Sequence, residues 1–403
     1  MNTLRMYSYP FSFSKISGRL VKRVNRFVVE AEVKGRIEQA YLPNPGRLWE
    51  LLLPGTELML SPDLSRGKMA YTVLACRKNG LWVLLHTHLT NKIIHCLVDE
   101  GRLRDFENYR VIQEEPACGR HRFDLLLKHR NTGAECYLEV KTCTLFAGRV
   151  AMFPDAVTNR GSEHLLKLKE ISAAGIKTAC LFVVLNPETE YFLPAYHIDP
   201  GFAAAFKEVK EQVQLSAVAL GFDAGFSEIE TIKPLLLPFD LLNAELQDGG
   251  AYLLLISLKN DRVINAGGLG PKFFKSGCYI YVGSAKRNLS KRVARHTRKR
   301  KQKRWHIDYL IGEAVRIIPV PIITADDLEC GLADALCQIA DNPVKGFGSS
   351  DCRCNSHLFY FAKNPLQQPC FIDLIQDYRI RRLEQKLDNL TNPGFWSTKR
   401  RGY

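Results

Sequence analysis

The chain has 403 residues, 46% of them hydrophobic and 24% charged, which is too long for one average domain and too apolar for wholesale disorder. No apolar run reaches the roughly 18 residues of a spanning helix, and "MNTLRMYSYPFSF" lacks the basic start and apolar stretch of a signal peptide, so the expectation is a soluble, cytoplasmic protein with no membrane partner. Net charge is +14, and +10 of it follows Pro234, where 26 Lys and Arg face 16 Asp and Glu; such a field expects a polyanion, most commonly nucleic acid.

Up to about residue 95, short alternating runs ("RFVVEAEV", "GTELMLS", "GLWVLLHT") are split by "LPNPGRL" and other Pro/Gly turns, which predicts a small antiparallel barrel. In it Asn44, Arg47 and Trp49 sit on or beside a turn. There they are placed either to stack and hold single-stranded bases or, for Trp49, to pack the core. From 96 to 230, strand-like runs mix with helical ones such as "SEHLLKLKEISAAG", an α/β pattern. A linker with two prolines ("FSEIETIKPLLLPFD") is expected over 231–243, and 244–403 forms a second α/β or α+β unit that closes on a helix around "FIDLIQDYRIRRLEQKL". The twelve cysteines are scattered, as suits reduced and mostly buried thiols.

"RFDLLLK" and "ECYLEVK", separated by "HRNTG", predict a hairpin whose turn is centred between Asn131 and Thr132. Asp124 and Glu139 are then cross-strand partners. Phe123, Leu125, Leu127, Cys136, Leu138 and Val140 share one face, and Asp124, Tyr137, Glu139 and Lys141 the other. Opposed carboxylates repel unless a cation lies between them, so Asp124 and Glu139 are candidate ligands of Mg²⁺ or Mn²⁺, with Lys141 stabilising charge on a phosphodiester under hydrolysis. A bare E-x-K more often marks a solvated Glu–Lys pair. In "FPDAVTNRGSEHLLKL", Asp155, Arg160 and His164 lead into a helix where Arg160 is placed to grip a phosphate and Ser162 is the expected N-cap.

The spacing of Asp124, Glu139 and Lys141 resembles the PD-(D/E)XK nuclease signature. Residues 14–225, through "LPNPGRLWELLLPG", "RFDLLL", "CYLEVKTCTL", "FPDAVTNRGSEHLLKL" and "IDPGFAAA", resemble the sugar fermentation stimulation protein A family. That resemblance implies an OB-like barrel joined to a PD-(D/E)XK-like domain, an association with DNA, an active site at Asp124, Glu139 and Lys141, and Glu114 or Glu115 as a further carboxylate.

"GAYLLLIS" and "GCYIYVGSAKRNLSKRVARHTRKRKQKRWHIDYL" resemble the GIY-YIG nuclease domain, with Gly250-Ala251-Tyr252 and Tyr281-Val282-Gly283 as the two triplets. The resemblance implies Tyr281 as the group that deprotonates water, Arg292 as the phosphate holder, Glu329 as the carboxylate of a single metal, and Tyr252 and His296 in support. Asn288 is an expected helix cap and places Arg292 and His296 on one face, while Thr324-Ala325-Asp326 precedes the helix of Glu329. The gap between Tyr252 and Tyr281 is longer than usual, and Ser284 stands where many members carry lysine.

Eleven Lys or Arg and no acid lie between Ser284 and Arg304. Lys286, Arg287, Lys291, Arg295 and Arg298, with Arg47 and Arg160, are the expected nucleic-acid contacts. Cys352, Cys354 and His357 in "SSDCRCNSH" have a C-x-C spacing tighter than structural zinc sites use and lack a fourth ligand, so zinc is not expected there. The combined expectation is a multidomain α/β and α+β protein that binds DNA and hydrolyses phosphodiesters with Mg²⁺ at one or both sites. The alternative is a DNA-binding regulator that does not cut, tied to sugar metabolism by family resemblance alone.

Overall fold

Alternation in the first 85 residues closes a barrel. The computed structural model describes residues 13–298, 300–349 and 352–391. The signal-peptide reading of residues 1–12, Lys299 of the basic run, Ser350 and Asp351 of "SSDCRCNSH" and the chain beyond Thr391 lie outside the described residues. Strands β1 (Ile16–Asn25), β2 (Val28–Val33), β3 (Arg36–Tyr41), β4 (Glu57–Ser61) and β5 (Tyr71–Lys78) run in the order β3-β2-β1-β4-β5, and β3 pairs again with β5 to close the ring; β6 (Leu81–Leu84) adds to β5. Inward residues such as Leu20, Val29, Leu58, Leu60 and Val73 are buried, as alternation on a closed barrel requires.

Helix α1 (Thr87–Asp99) leads to β7 (Tyr109–Glu114), the short β8 (Ala117–Cys118) and β9 (His121–Arg122), β10 (Leu125–His129), β11 (Glu135–Cys143), β12 (Leu145–Ala147) and β13 (Val150–Phe153). Then come α2 (Asn159–Ala173), β14 (Lys177–Val184), β15 (Tyr191–Pro194), α3 (Pro200–Glu208), β16 (Gln214–Phe222) and β17 (Ile229–Pro234). The main sheet is ordered β17-β16-β14-β11-β10-β7, parallel across β11, β14 and β16 and antiparallel towards both edges. β14 at its centre is a near-continuous apolar run, "TACLFVV", because both its faces are covered, whereas the neighbouring β11 carries Glu139 and Lys141. β12, β13 and β15 form a smaller sheet. Much of the stretch read as linker is ordered: β17 pairs with β16, and the Leu236 N–H donates to the Glu190 carbonyl at 3.0 Å.

The second unit contains α4 (Phe239–Glu245), β18 (Gly250–Leu258), β19 (Arg262–Asn265), β20 (Pro271–Phe274), β21 (Gly277–Ala285), α5 (Leu289–Thr297), α6 (His306–Glu313), β22 (Arg316–Ile323), α7 (Glu329–Ile339), β23 (Asn342–Pro343), β24 (Leu358–Phe361), α8 (Pro369–Gln376) and α9 (Arg382–Thr391). Its sheet is antiparallel in the order β22-β18-β21-β24-β23. The long gap between the two triplets holds the separate β19–β20 hairpin, and β18 and β21 still pair without a shift from Gly250 opposite Ala285 to Leu258 opposite Gly277. The chain forms two compact units, Met1–Ala195 with Asp199–Phe239, and Tyr196–Ile198 with Asp240–Tyr403.

Candidate active sites

In the first unit, β10 and β11 pair with Leu125 opposite Leu138 and Lys128 opposite Glu135, a register that sets Asp124, one residue before β10, against Glu139. Alternation turns Glu139 away from the packed Leu138 and Val140, yet it is 3% exposed, while Asp124, Tyr137 and Lys141 on the same face are half-buried. Glu139 Oε1 lies 2.6 Å from His164 Nδ1 and meets the Lys141 ammonium, whereas Glu139 Oε2 is buried with no hydrogen-bond partner. Asp124 accepts from Asn91 Nδ2 and from the Val140 N–H, both at 2.7 Å. Burial and the neighbouring Glu139 push the Asp124 carboxyl up to about 6. Burial works the same way on Glu139, but His164 and Lys141 outweigh it and hold that carboxyl below its ordinary value. An orphaned carboxylate oxygen set by register against a second carboxylate is an oxygen donor set that fits a hard divalent cation. Asp124, Lys141 and Arg160 open into a cleft of about 450 Å³, with Arg26 and His88 on its wall.

Other expectations change here. Glu114 sits opposite Leu125 and so on the face away from Asp124; its carboxylate meets His95 at 2.6 Å, while Glu115 pairs with Arg122 at 3.0 Å. Neither joins the site. Thr158, not Ser162, caps α2, its hydroxyl accepting from the Gly161 N–H at 3.0 Å; Ser162 already lies in the first turn. His164 lies within α2 and turns its ring to Glu139. Arg160 Nε donates to its Nε2 at 3.2 Å, which leaves Nδ1 to carry the proton towards Glu139. Asp155 is structural, accepting from the Leu48 N–H at 3.2 Å and so tying the "NPGR" turn of the barrel to the sheet domain. Asn44 is buried and closes its own turn on the Gly46 N–H, and the half-buried Arg47 lies over the Trp49 ring, 5.2 Å from its centroid.

In the second unit, Tyr252, Tyr281, Arg292 and Glu329 line one cleft of about 370 Å³ together with Ser284, Trp305 and Phe347. Tyr252 stands opposite Gly283 on the paired strands, and a β-carbon on that glycine would come within 2.4 Å of the Tyr252 hydroxyl, so the second triplet needs its glycine for the first to pack. Arg292 donates to the Ser284 carbonyl and lies over Trp305. Glu329 begins α7; Ser284 Oγ donates to its Oε2, and His357 Nδ1 lies 3.2 Å from its Oε1. Burial would raise the Glu329 carboxyl, but His357 and Ser284 hold it low. His296 lies buried behind the cleft, beside Tyr252 and Trp305 and 3.5 Å from Asp308.

The expected caps differ too. Asn288 occupies the N-cap position of α5 in a left-handed conformation but makes no side-chain cap; Asp248 accepts from the Ser290 N–H at 2.7 Å in its place. α7 has no side-chain cap, because Thr324 turns to the Asp326 N–H and Asp326 pairs with Arg382 and Lys386.

Residues 21–85 match the SfsA N-terminal OB domain, residues 88–225 the Sugar fermentation stimulation protein RE domain, and residues 251–380 the Domain of unknown function DUF123, which is GIY-YIG-related. A sugar fermentation stimulation protein homolog of Moorella thermoacetica is 37% identical over 195 residues, which are 48% of this chain and 84% of that one. The chain belongs to the sugar fermentation stimulation protein family. A homolog of Pyrobaculum arsenaticum is 38% identical over 48% of this SfsA-family chain and 82% of its own length. The structure of Pyrococcus furiosus SfsA in complex with Ca²⁺ is 30% identical, superposes with a TM-score of 0.52, and covers 56% of this chain and 96% of its own. No helix among the described residues is long and apolar enough to cross a membrane.

Within the basic run of this SfsA-family chain, Arg295 is not a free contact. It forks onto Asp308 at 3.1 and 2.9 Å and stacks on Trp305, and Lys301 Nζ reaches the same carboxylate at 3.2 Å. Lys286, Arg287, Lys291, Arg292 and Arg298 are exposed. Residues that sequence reasoning missed are Asn91, which only folding brings to Asp124, and Cys330. The Cys330 thiol converges with Cys352, Cys354 and His357, their ligand atoms all within 4.8 Å of one another.

Proposed function

We propose that the protein is a divalent-metal-dependent nuclease acting on DNA, with its hydrolytic centre at Asp124, Glu139 and Lys141. The observation that carries this reading is the buried, unpartnered Glu139 Oε2, set by register against Asp124, which lines an open cleft together with Lys141. Asp124 and Glu139 would hold Mg²⁺ or Mn²⁺, whose charge would activate water and polarise the phosphate. The Ca²⁺ bound by the Pyrococcus furiosus relative is a cation of the same hard class. Within the chain, Asn91 and the Val140 N–H fix Asp124, while His164, itself braced by Arg160, fixes Glu139. Lys141 and the exposed Arg160 present positive charge to a phosphate in the cleft, and the OB barrel offers Arg26 on the same wall.

One observation favours a binding role for the second unit. Both Glu329 oxygens already face side chains, Ser284 and His357, and exposed Lys286, Arg287 and Lys291 stand nearby along the chain. In this reading that unit holds the nucleic-acid backbone while the first cuts. Cleavage of labelled duplex and single-stranded DNA with Mg²⁺, compared between wild type, Glu139→Gln and Glu329→Gln, tests it.

A further inference from the structure

We propose that Cys330, Cys352, Cys354 and His357 form a structural zinc site. The ligands come from two places distant in sequence: the first turn of α7, and the loop that runs into β24. Four soft donors, three sulfurs and one imidazole nitrogen, meet within 4.8 Å of one another, and no other group of this kind occurs among the described residues. Tetrahedral zinc with Zn–S near 2.3 Å sets its ligand atoms about 3.8 Å apart, so closure about an ion needs a contraction of about 1 Å at most. One pair already stands at that range, Cys352 Sγ lying 3.4 Å from His357 Nε2.

The environment differs from that of a packed thiol. Free cysteines are usually buried small hydrophobes, as Cys76, Cys136, Cys143 and Cys180 are here. Cys330 is exposed, and Cys352 and Cys354 are half-exposed, so burial gains little from placing three thiols together. His357 is 2% exposed and oriented by both ring nitrogens: Nε2 faces the sulfurs and Nδ1 lies 3.2 Å from Glu329. A histidine with a carboxylate behind it is the usual outer support of a zinc ligand. The loop is built to carry such a site. The Gly346 N–H donates to the Asn355 carbonyl at 3.0 Å and the His357 N–H to the Phe347 carbonyl at 2.8 Å, which brings the chain back on itself before β24.

Loading would release the three thiol protons, leaving three thiolates and a neutral imidazole on Zn²⁺. It would also clamp the Phe347–Gly348 wall of the second cleft to the start of α7, where Glu329 sits beside Cys330. The site makes no demand on whether either cleft cuts nucleic acid.

The test uses the full chain, expressed without a histidine tag. Metal analysis is expected to find one zinc per chain, and exchange into Co²⁺ to give the intense visible bands and sulfur charge-transfer absorption of a tetrahedral thiolate site. Cys330→Ser and Cys352→Ser should each lower zinc affinity at least tenfold, and Glu329→Gln by about 10–100-fold through His357. Cys370→Ser, an exposed cysteine outside the cluster, should keep the full complement. Far-UV circular dichroism of each variant separates metal loss from unfolding. Wild-type protein that neither carries nor takes up zinc or Co²⁺ with all thiols reduced would overturn the proposal. So would a native disulfide among Cys330, Cys352 and Cys354, or retention of zinc by Cys330→Ser and Cys352→Ser alike.

Discussion

Gly46 lies so close against Asp155 that a β-carbon on the glycine would come within 2.2 Å of the Asp155 carboxylate. That approach lets the carboxylate reach the Leu48 N–H and joins the barrel turn to the wall of the first cleft. Gly46→Ala must displace a carboxyl that is held in place. The expected cost is about 1–3 kcal/mol, read as a lowered midpoint in urea unfolding of the first unit. An unchanged midpoint would mean that Asp155 swings aside freely.

His164 touches no part of the cleft surface, yet it positions Glu139 at 2.6 Å. His164→Ala should weaken Mn²⁺ binding by about 10–100-fold in calorimetric titration. His164→Asn, which keeps a short donor, should recover part of the loss. Equal Mn²⁺ affinity in all three proteins would remove the positioning role.

Glu50 gives the fold a pH dependence. Its Oε1 is buried without a hydrogen-bond partner, and burial pushes the carboxyl up to about 7. A raised acid pKa means that the unfolded chain releases its proton first, so this contribution is intact below about pH 4.5 and is lost as pH rises to about 7. The loss is at most about 3 kcal/mol. Glu50→Gln should match wild type in thermal stability at pH 4 and exceed it at pH 8. Parallel pH profiles for the two proteins would contradict this account.

The basic run divides into two kinds of residue. Substituting the exposed Lys286, Arg287 and Lys291 together by alanine should weaken DNA binding and reduce the slope of log K against log salt by about 3, with little effect on folding. Arg295→Ala should instead destabilise the second unit by about 1–3 kcal/mol, because the buried Asp308 loses its forked partner while Lys301 remains. Salt-dependent binding and thermal melts on the same variants distinguish the two.

What could be read from the sequence followed how local each signal is. The facing of Asp124 and Glu139 was legible because both count symmetrically from one hairpin turn, and the enclosure of Leu138 and Val140 because strands alternate. The shared cleft of Tyr252, Tyr281, Arg292 and Glu329 was legible only through resemblance, since it depends on how β18, β21, α5 and α7 fold together. Devices that act over longer range were hidden. The cap of α5 comes from Asp248, some forty residues before it, and the acid that neutralises Arg295, Asp308, lies just beyond the end of the basic run. The C-x-C pair is incomplete in its own loop because Cys330 reaches it from the start of α7. Thr158 and Ser162 are both fair caps by type, and only the start of α2 chooses between them.

The most direct test of the nuclease reading is cleavage of end-labelled DNA by wild type and Glu139→Gln in Mg²⁺, with Glu329→Gln and a chelator as controls. The account predicts metal-dependent cutting that Glu139→Gln reduces at least a hundredfold and Glu329→Gln leaves largely in place. Salt-sensitive DNA binding without cutting by wild type, or cutting that survives Glu139→Gln, would contradict it.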